Sequence, residues 1–221
     1  MRTEVYESGI KRNNQIPRVT IGIPVFNGAN YLAQAIDSIL AQTWGNFELI
    51  ISDNASTDET QEICRSYEAR DQRIRYIRNE HNIGAAGNFN KLFSLARGRY
   101  FKWAAHDDVC APEYLQRCVG VLDRYPSALI AYPRGQLIDE KGTLLPYDYP
   151  PEFPVEISSG DPITRYRSIM LRECWFALPI GLFRASALRK TTLFRDHYGG
   201  DRLLLCQLAL QGSFYEVEDY L

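Results

Sequence analysis

The sequence predicts an α/β fold in which a mostly parallel central sheet carries helices on both faces. Strand and amphipathic-helix patterns alternate without a break from residue 19 to residue 132. The strand segments are short and rich in β-branched residues, as expected of strands buried on both faces. Polar residues follow successive strands, and ligands of such sheets bind at the carboxyl ends of the strands. We therefore expect a functional site at that edge of the sheet.

The first half of the chain contains five predicted strands and four predicted helices. Strand 19–26 ends near Pro24, and a turn at 27–30 leads into a helix over 31–40 whose apolar residues recur at helical spacing. The next helix begins near Ser56, which has capping-box spacing to Glu59. The other predicted elements are strands 47–51, 74–77, 100–105 and 128–132, and helices ending at residue 70, over 87–96 and over 112–125.

The alternation weakens after residue 133. A hairpin is predicted around Lys141 and Gly142, followed by a loop over 146–154 that is rich in Pro and Tyr. Three helices near 161–172, 184–191 and 201–210 and a strand over 214–217 complete the prediction. We expect a polar tail at 1–16 and one domain over 17–221, with its two halves meeting at residue 132. Because the sequence ends directly after its last predicted strand, we also expect it to be part of a longer chain.

The composition disfavours several functional classes. The 221 residues are 45% hydrophobic and 24% charged, which is typical of globular proteins, and the net charge of −2 gives no basic field for nucleic acid. The five cysteines form no CxxC pair and the three histidines form no HExxH motif, so neither a zinc site nor a disulfide framework is predicted. No apolar run has the length of a membrane span, and we expect a cytoplasmic protein without a transmembrane segment.

Polar residues follow each of the first four strands. They are Asn27, then Asp53 and Asn54, then Asn79 and Asn82, then Asp107 and Asp108. One such residue could be an ordinary turn residue, but four sets in succession predict a ligand site. The Gly-containing turn over 82–88 opens a helix and could present N–H groups to a phosphate or a ribose, or it could be an ordinary junction. It matches neither GxGxxG nor GxxxxGK[ST], which disfavours nicotinamide and phosphoryl-transfer enzymes.

Four segments together carry a family resemblance. Residues 24–27, 42–58, 82–84 and 106–115 strongly resemble the start of inverting glycosyltransferase family 2, and the similarity covers 18–125 well and 126–221 loosely. The resemblance implies the GT-A fold, a nucleotide-sugar donor, and Mn²⁺ or Mg²⁺. It also implies hexosyl transfer to a saccharide or lipid-linked acceptor in polysaccharide biosynthesis, in the cytoplasm or at the inner face of the cell membrane. The donor would bind over 17–132 and the acceptor over 133–221.

The resemblance assigns the donor contacts. Asp53 would accept a hydrogen bond from the imide N–H of uracil or thymine, which favours UDP or dTDP, although it could instead cap the next helix. The base pocket would also be lined by Pro24, Phe26 and Asn27. The ribose and phosphates would be bound by Asn82, Gly84, Asn88 and Asp107.

The resemblance also assigns the metal ligand. Asp107 would face the ribose and metal-bound water, and Asp108 would coordinate the cation that neutralises the diphosphate. The family often has an acidic residue two positions before Asp107, where this chain has Ala105. This departure from the family pattern leaves the metal affinity and a strict dependence on metal open. Instead of binding a metal, Asp107 and Asp108 could be solvated residues at a helix N-terminus, where the helix dipole favours carboxylates.

Inverting transfer needs a base for the acceptor hydroxyl, and the resemblance points to Asp201 before a Leu-rich helix. Asp201 could equally be a helix N-cap, and Asp196 and His197 compete for the role. We expect Trp103 in the core, whereas Trp175 and Phe176 could stack on a sugar or be core residues.

The sequence thus predicts a metal-assisted, inverting glycosyltransferase. The alternatives are a non-catalytic nucleotide-sugar-binding module and a sugar-nucleotide nucleotidyltransferase. A nucleotidyltransferase would need a basic, Gly-rich loop after the first strand, and residues 27–30 contain no basic residue.

Overall fold

The structure, a computed structural model, describes residues 16–146, 155–171 and 179–221. The strands are β1 (Val19–Val25), β2 (Phe47–Asp53), β3 (Ile74–Arg78), β4 (Tyr100–Trp103), β5 (Ala128–Arg134), β6 (Leu182–Arg184) and β7 (Ser213–Tyr220). The helices are α1 (Leu32–Leu40), α2 (Thr60–Arg70), α3 (Ala85–Ser94), α4 (Tyr114–Arg124), α5 (Pro162–Leu171), α6 (Ala185–Leu188) and α7 (Gly200–Ala209), with a 3₁₀ turn at Val155–Ser158.

The seven strands form one sheet in the order β3-β2-β1-β4-β6-β5-β7. All its pairings are parallel except the two made by β6, which runs antiparallel to β4 and to β5. The predicted mostly parallel sheet is confirmed. The sequence analysis missed β6, which comes from the second half of the chain and lies between two strands of the first half. The two halves therefore share one sheet.

Two hydrophobic clusters pack the helices onto opposite faces of the sheet. One cluster contains apolar side chains of α1, α2 and α4, and the other contains those of α3, α5, α6 and α7. Consecutive β2 residues alternate between the clusters, with Leu49 and Ile51 in the first and Ile50 in the second. Strands with both faces covered in this way are hydrophobic throughout, which is the pattern in the sequence.

Several local expectations differ from the structure. The capping box is wrong, because α2 begins at Thr60 without a side-chain cap and the Ser56 hydroxyl instead accepts the N–H of Asn27. Helix α3 begins two residues before its predicted start, directly after Gly84, which has a φ of 78°. The predicted hairpin is reduced to one antiparallel bridge between Ile138 and Leu144.

The remaining expectations concern the first residues, the long loop and two aromatic side chains. The tail at 1–15, the loop at 147–154, and Trp175 with Phe176 lie outside the described residues. No helix in the described ranges combines the length and the apolar character that a bilayer crossing requires.

Candidate active site

Hydrogen bonds join the loop after β1 to the loop after β2. Asn27 has a φ of 53°, and its side-chain Oδ1 accepts the N–H of Thr57 at 2.8 Å. The next two backbone N–H groups donate to Thr60 Oγ1 and Asp58 Oδ2, both at 3.0 Å. The carboxyl ends of β1 and β2 are therefore held as one unit. The predicted pocket residues lie here, with Pro24 buried and the Phe26 ring 47% exposed.

The Asp53 carboxylate points into the protein rather than into the open edge of the site. It is fully buried and accepts three hydrogen bonds at 2.8 Å, from the Ser56 N–H, the Tyr76 hydroxyl and Arg78 Nη1. Burial and the bond to Asp53 raise the pKa of Tyr76. Contact between Asp53 and a nucleobase requires a neighbour such as Arg78 to give up its bond. The base contact stays a prediction.

Arg78 is a site residue that the sequence analysis missed. Its guanidinium donates to Asp53 and, through Nη2, to the Ser56 carbonyl oxygen at 2.8 Å, while 35% of its side chain remains exposed. It is the last residue of β3, so it lies at the same sheet edge as the predicted site. The sequence did contain a signal for Arg78, because it is a basic residue at the end of a strand.

Amide side chains connect the ends of β2 and β3 to the start of α3. Asn54 Nδ2 donates to Asn82 Oδ1 at 2.7 Å, and Asn54 Oδ1 accepts from the Ile83 N–H and from Asn79 Nδ2. Asn82 Oδ1 also accepts the Gly84 N–H at 2.8 Å. These bonds fix the backbone around Gly84, whose positive φ turns the chain into α3. Asn82 and Gly84 thus border the open edge.

Asn88 lies deeper than the sequence interpretation places it. It is 2% exposed, its Oδ1 accepts from Ser52 Oγ and Asn79 Nδ2, and its Nδ2 donates to the Ser52 carbonyl oxygen at 2.8 Å. Its carboxamide thus has partners on both sides within the protein. Direct binding of a nucleotide sugar by Asn88 stays a prediction, and this packing gives no support to it.

We expect Asn88→Ala to act on stability rather than on ligand contact. Removing the carboxamide takes a buried hydrogen-bond partner from the Ser52 hydroxyl, the Ser52 carbonyl and one N–H of the Asn79 amide, at about 1–3 kcal/mol for each group left unsatisfied. The free energy of unfolding in urea should fall by that order, while the affinity for nucleotide in the remaining folded protein stays near wild type. Asn90→Ala is a comparison on the same helix, since the side chain of Asn90 bonds to the backbone of Phe194 and not to the residues around Asn88. A folded Asn88→Ala protein that lost nucleotide binding would support the ligand role instead.

The two carboxylates of Asp107 and Asp108 lie exposed beyond the end of β4. His106 Nδ1 is 3.8 Å from Asp107 Oδ1, and a Cβ on Gly28 would lie 2.6 Å from the His106 ring. The loop after β1 therefore needs glycine at residue 28 to pass the loop that carries the carboxylates. Restricted hydration and the charge of Asp107 raise the pKa of Asp108, while Lys102 and His106 oppose that rise.

These residues fit a Mg²⁺ or Mn²⁺ ion that a ligand helps to hold. Both cations prefer oxygen ligands, and Mg²⁺ is commonly bound by one or two carboxylates together with phosphates and water. Within the three described ranges, no group of three His, Cys, Asp or Glu side chains could hold a metal by itself. A diphosphate would supply the missing oxygens beside Asp107 and Asp108.

A cavity of about 460 Å³ lies between the start of α3 and the residues before α7. It is lined by Ala85, Ala86, Phe89 and residues 194–201. The wall is held together by Asn90, which exchanges two hydrogen bonds with the backbone of Phe194, and by an edge-to-face contact of Phe89 and Phe194. The cavity thus lies between the first and the second half of the chain.

Asp201 lines this cavity. Helix α7 begins at Gly200 with Gly199 as its N-cap residue, so Asp201 is in the first turn and is not the cap. Its Oδ1 accepts the N–H of Arg202 at 2.8 Å. Asp196 and His197 line the same cavity and are more exposed. The geometry leaves all three as candidates for the base.

Trp103 is a core residue, as expected. It is 2% exposed, its Nε1 donates to the Phe89 carbonyl oxygen, and it makes edge-to-face contacts with Phe101, Phe183 and Phe194. Because Phe89 and Phe194 line the cavity, these contacts of Trp103 support the cavity wall.

The mostly parallel sheet, with helices on both faces and polar side chains at the carboxyl ends of its strands, is the architecture expected of the GT-A fold. The sequence matches Glycosyl transferase family 2 over residues 20–190, and the chain belongs to this family. An uncharacterised glycosyltransferase of Rickettsia typhi is 32% identical over 189 residues, which cover 85% of this chain and 58% of that protein. The chain spans less than two thirds of the length of the curated relatives it matches first.

Solved structures show the same fold. Residues 1–349 of S. aureus TarS in complex with UDP align with a TM-score of 0.71 at 19% identity, covering 91% of this chain and 58% of that one. The mannosyltransferase PcManGT of Pyrobaculum calidifontis, in complex with GDP-Man and Mn²⁺, aligns with a TM-score of 0.65 at 18% identity, covering 94% and 56%.

Proposed function

We propose that this chain transfers a hexose from a UDP or dTDP sugar to an acceptor hydroxyl with inversion, assisted by Mn²⁺ or Mg²⁺. The observation that carries the proposal is the position of Asp108 and Asp201 in one family 2 fold. Asp108 is exposed where the sheet edge can receive a diphosphate, and Asp201 lines the cavity beside α3. TarS is described with UDP and PcManGT with GDP-Man and Mn²⁺, which supports a nucleotide-sugar donor and a divalent cation.

The donor would lie across the ends of β1, β2 and β4. Phe26 would cover one face of the base, Asn27 would lie beside it, and the Asp53–Arg78 pair would bound the pocket. Asn82 and Gly84 would border the ribose and phosphates, with Asp107 near the ribose. Asp107 and Asp108 would hold the cation, which when bound neutralises charge on the departing diphosphate.

The acceptor would enter the cavity beside α3. The carboxylate of Asp201 would take the proton from the attacking hydroxyl oxygen as that oxygen bonds to the anomeric carbon, and the bond from that carbon to the diphosphate would break. The new bond forms on the face opposite the leaving group, which inverts the anomeric configuration. A saccharide or lipid-linked acceptor at the inner face of the cell membrane is consistent with the resemblance.

We expect UDP or dTDP to bind this chain more tightly than GDP, and Mn²⁺ to strengthen that binding. Calorimetric titration of each nucleotide, once with Mn²⁺ and once with EDTA, measures both effects. The cation increases affinity because it joins the phosphates to the carboxylates of Asp107 and Asp108. Tighter binding of GDP would contradict the proposed base preference. Absence of binding for all three nucleotides under both conditions would contradict the donor site.

Binding and turnover separate the transferase from the remaining alternative, a non-catalytic module. Release of UDP from UDP-glucose or UDP-N-acetylglucosamine, measured with saccharide acceptors, reports turnover. A chain that binds nucleotide sugar but releases no nucleotide with any acceptor would favour the binding module.

A further inference from the structure

The residue after the C-cap of α1, Gln42, is buried against the loop that follows the exposed carboxylates. It is 7% exposed, and its Nε2 donates to the carbonyl oxygens of Ala111 at 2.7 Å and of Ser38 at 3.2 Å. Its Oε1 accepts the N–H of Leu115 at 2.9 Å. The carboxamide therefore holds the backbone on both sides of the turn that leads from Asp108 into α4.

Two neighbours of Gln42 bond to the same loop. Ser38 Oγ accepts the N–H of Cys110 at 3.2 Å. The backbone N–H and the hydroxyl of Thr43 both donate to the carbonyl oxygen of Pro112, at 2.8 and 3.1 Å. Backbone groups of three consecutive residues, 110–112, are thus fixed by the end of α1. The first of them lies two residues after Asp108.

The two carboxylates have little support of their own. In the parts of the chain that the structure describes, no side chain donates a hydrogen bond to Asp107 or Asp108, and His106 Nδ1 lies 3.8 Å from Asp107 Oδ1, beyond hydrogen-bond distance. The position of a carboxylate without such a donor depends on its backbone. A metal site holds its ligands to within about 0.5 Å of the productive geometry.

We propose that Gln42 is a positioning residue for the metal-binding loop. It fixes the backbone at Ala111 and Leu115 and, through that backbone, the position of Asp108. The inference rests on the proposed function, because it requires a cation at Asp107 and Asp108. Gln42 makes no contact with donor or metal in this assignment and acts only through the backbone. The segment 42–58 was part of the family resemblance, yet the donor site gives Gln42 no role.

The test compares Gln42→Met with Gln34→Met. Methionine keeps the approximate volume of glutamine and removes all three hydrogen bonds without adding charge. Gln34 is exposed on α1, so its replacement makes the same chemical change away from the loop. The readouts are the Mn²⁺ affinity at saturating UDP, from the electron paramagnetic resonance of free Mn²⁺, and the UDP affinity in EDTA.

We expect Gln42→Met to weaken Mn²⁺ binding by on the order of 10-fold, the effect seen when supports of metal ligands are removed. UDP affinity in EDTA should not change, and Gln34→Met should match wild type in both readouts. If Gln42 had a purely structural role, its replacement would lower thermal stability without weakening Mn²⁺ binding selectively over UDP binding in EDTA. Ser38→Ala removes one hydrogen bond to the loop and should give a smaller loss of Mn²⁺ affinity. It replaces Gln42→Met as the test variant if Gln42→Met does not fold.

Two outcomes would overturn the inference in distinguishable ways. Unchanged Mn²⁺ affinity in folded Gln42→Met, or in Ser38→Ala if the first variant does not fold, overturns the positioning role alone. Absence of Mn²⁺ binding by the wild-type chain with UDP overturns the metal role in the proposed function, and the inference with it.

Discussion

Replacing Asp108 by Asn is expected to remove the effect of Mn²⁺ on nucleotide affinity and to lower turnover by about 10²–10³-fold. The carboxamide keeps the shape of the side chain but loses the negative charge that a hard cation requires. Folding should be unaffected, because the side chain is exposed beyond β4. Calorimetry with UDP and Mn²⁺ and release of UDP from the sugar donor measure the two effects.

Glu113→Gln is the matched control for Asp108→Asn. Glu113 is exposed five residues farther along the chain, at the N-cap position of α4, and makes no side-chain cap bond there. It should retain the response to Mn²⁺ and the turnover of the wild type. If Asp108→Asn retains both the response to Mn²⁺ and the turnover of the wild type, the cation is held elsewhere and the assignment of Asp108 is wrong.

Replacing Asp201 by Asn should lower turnover by about 10²–10⁴-fold while leaving nucleotide affinity unchanged. An amide cannot take the proton from the acceptor hydroxyl, but its oxygen can still accept the N–H of Arg202. The start of α7 and the cavity wall should therefore be preserved. Steady-state turnover at saturating donor, together with the UDP affinity from calorimetry, gives the required comparison.

Two neighbours test whether the assignment of the base is specific. Asp196→Asn and His197→Gln change the two other candidates for the base, which line the same cavity as Asp201. Each should retain turnover within the same order as wild type. Loss of turnover in Asp196→Asn with retention in Asp201→Asn would transfer the role to Asp196.

The first half of the fold was predictable because its signals are local. Buried parallel strands have β-branched apolar sequences and the helices between them have one apolar face, so the element order through β5 follows from residue patterns. Strand β6 was not predictable in this way. It has three residues, too few to show a period, and it exists because it pairs with β4 and β5.

The candidate site was predictable in position but not in side-chain direction. The sequence places Asp53 and Asp108 near strand ends and Asn88 in a turn that opens a helix, and in the structure Asp108 is exposed while the other two are buried. Asp53 is covered by Tyr76 and Arg78, and Asn88 by Ser52 and Asn79, which belong to other elements of the fold. Local pattern carries no information on which neighbour covers a strand end.

Patterns of neighbouring residues were sufficient to predict the family, the element order of the first half and the acidic residues available for chemistry. Periodicity, turn residues and spacing are all properties of neighbouring positions. The packed fold was needed to show which polar groups are satisfied inside the protein, how β6 joins the two halves, and that Asp201 lines a cavity beside α3. Those features arise from contacts between residues far apart in the chain, whose geometry is set when the sheet and its helices pack together.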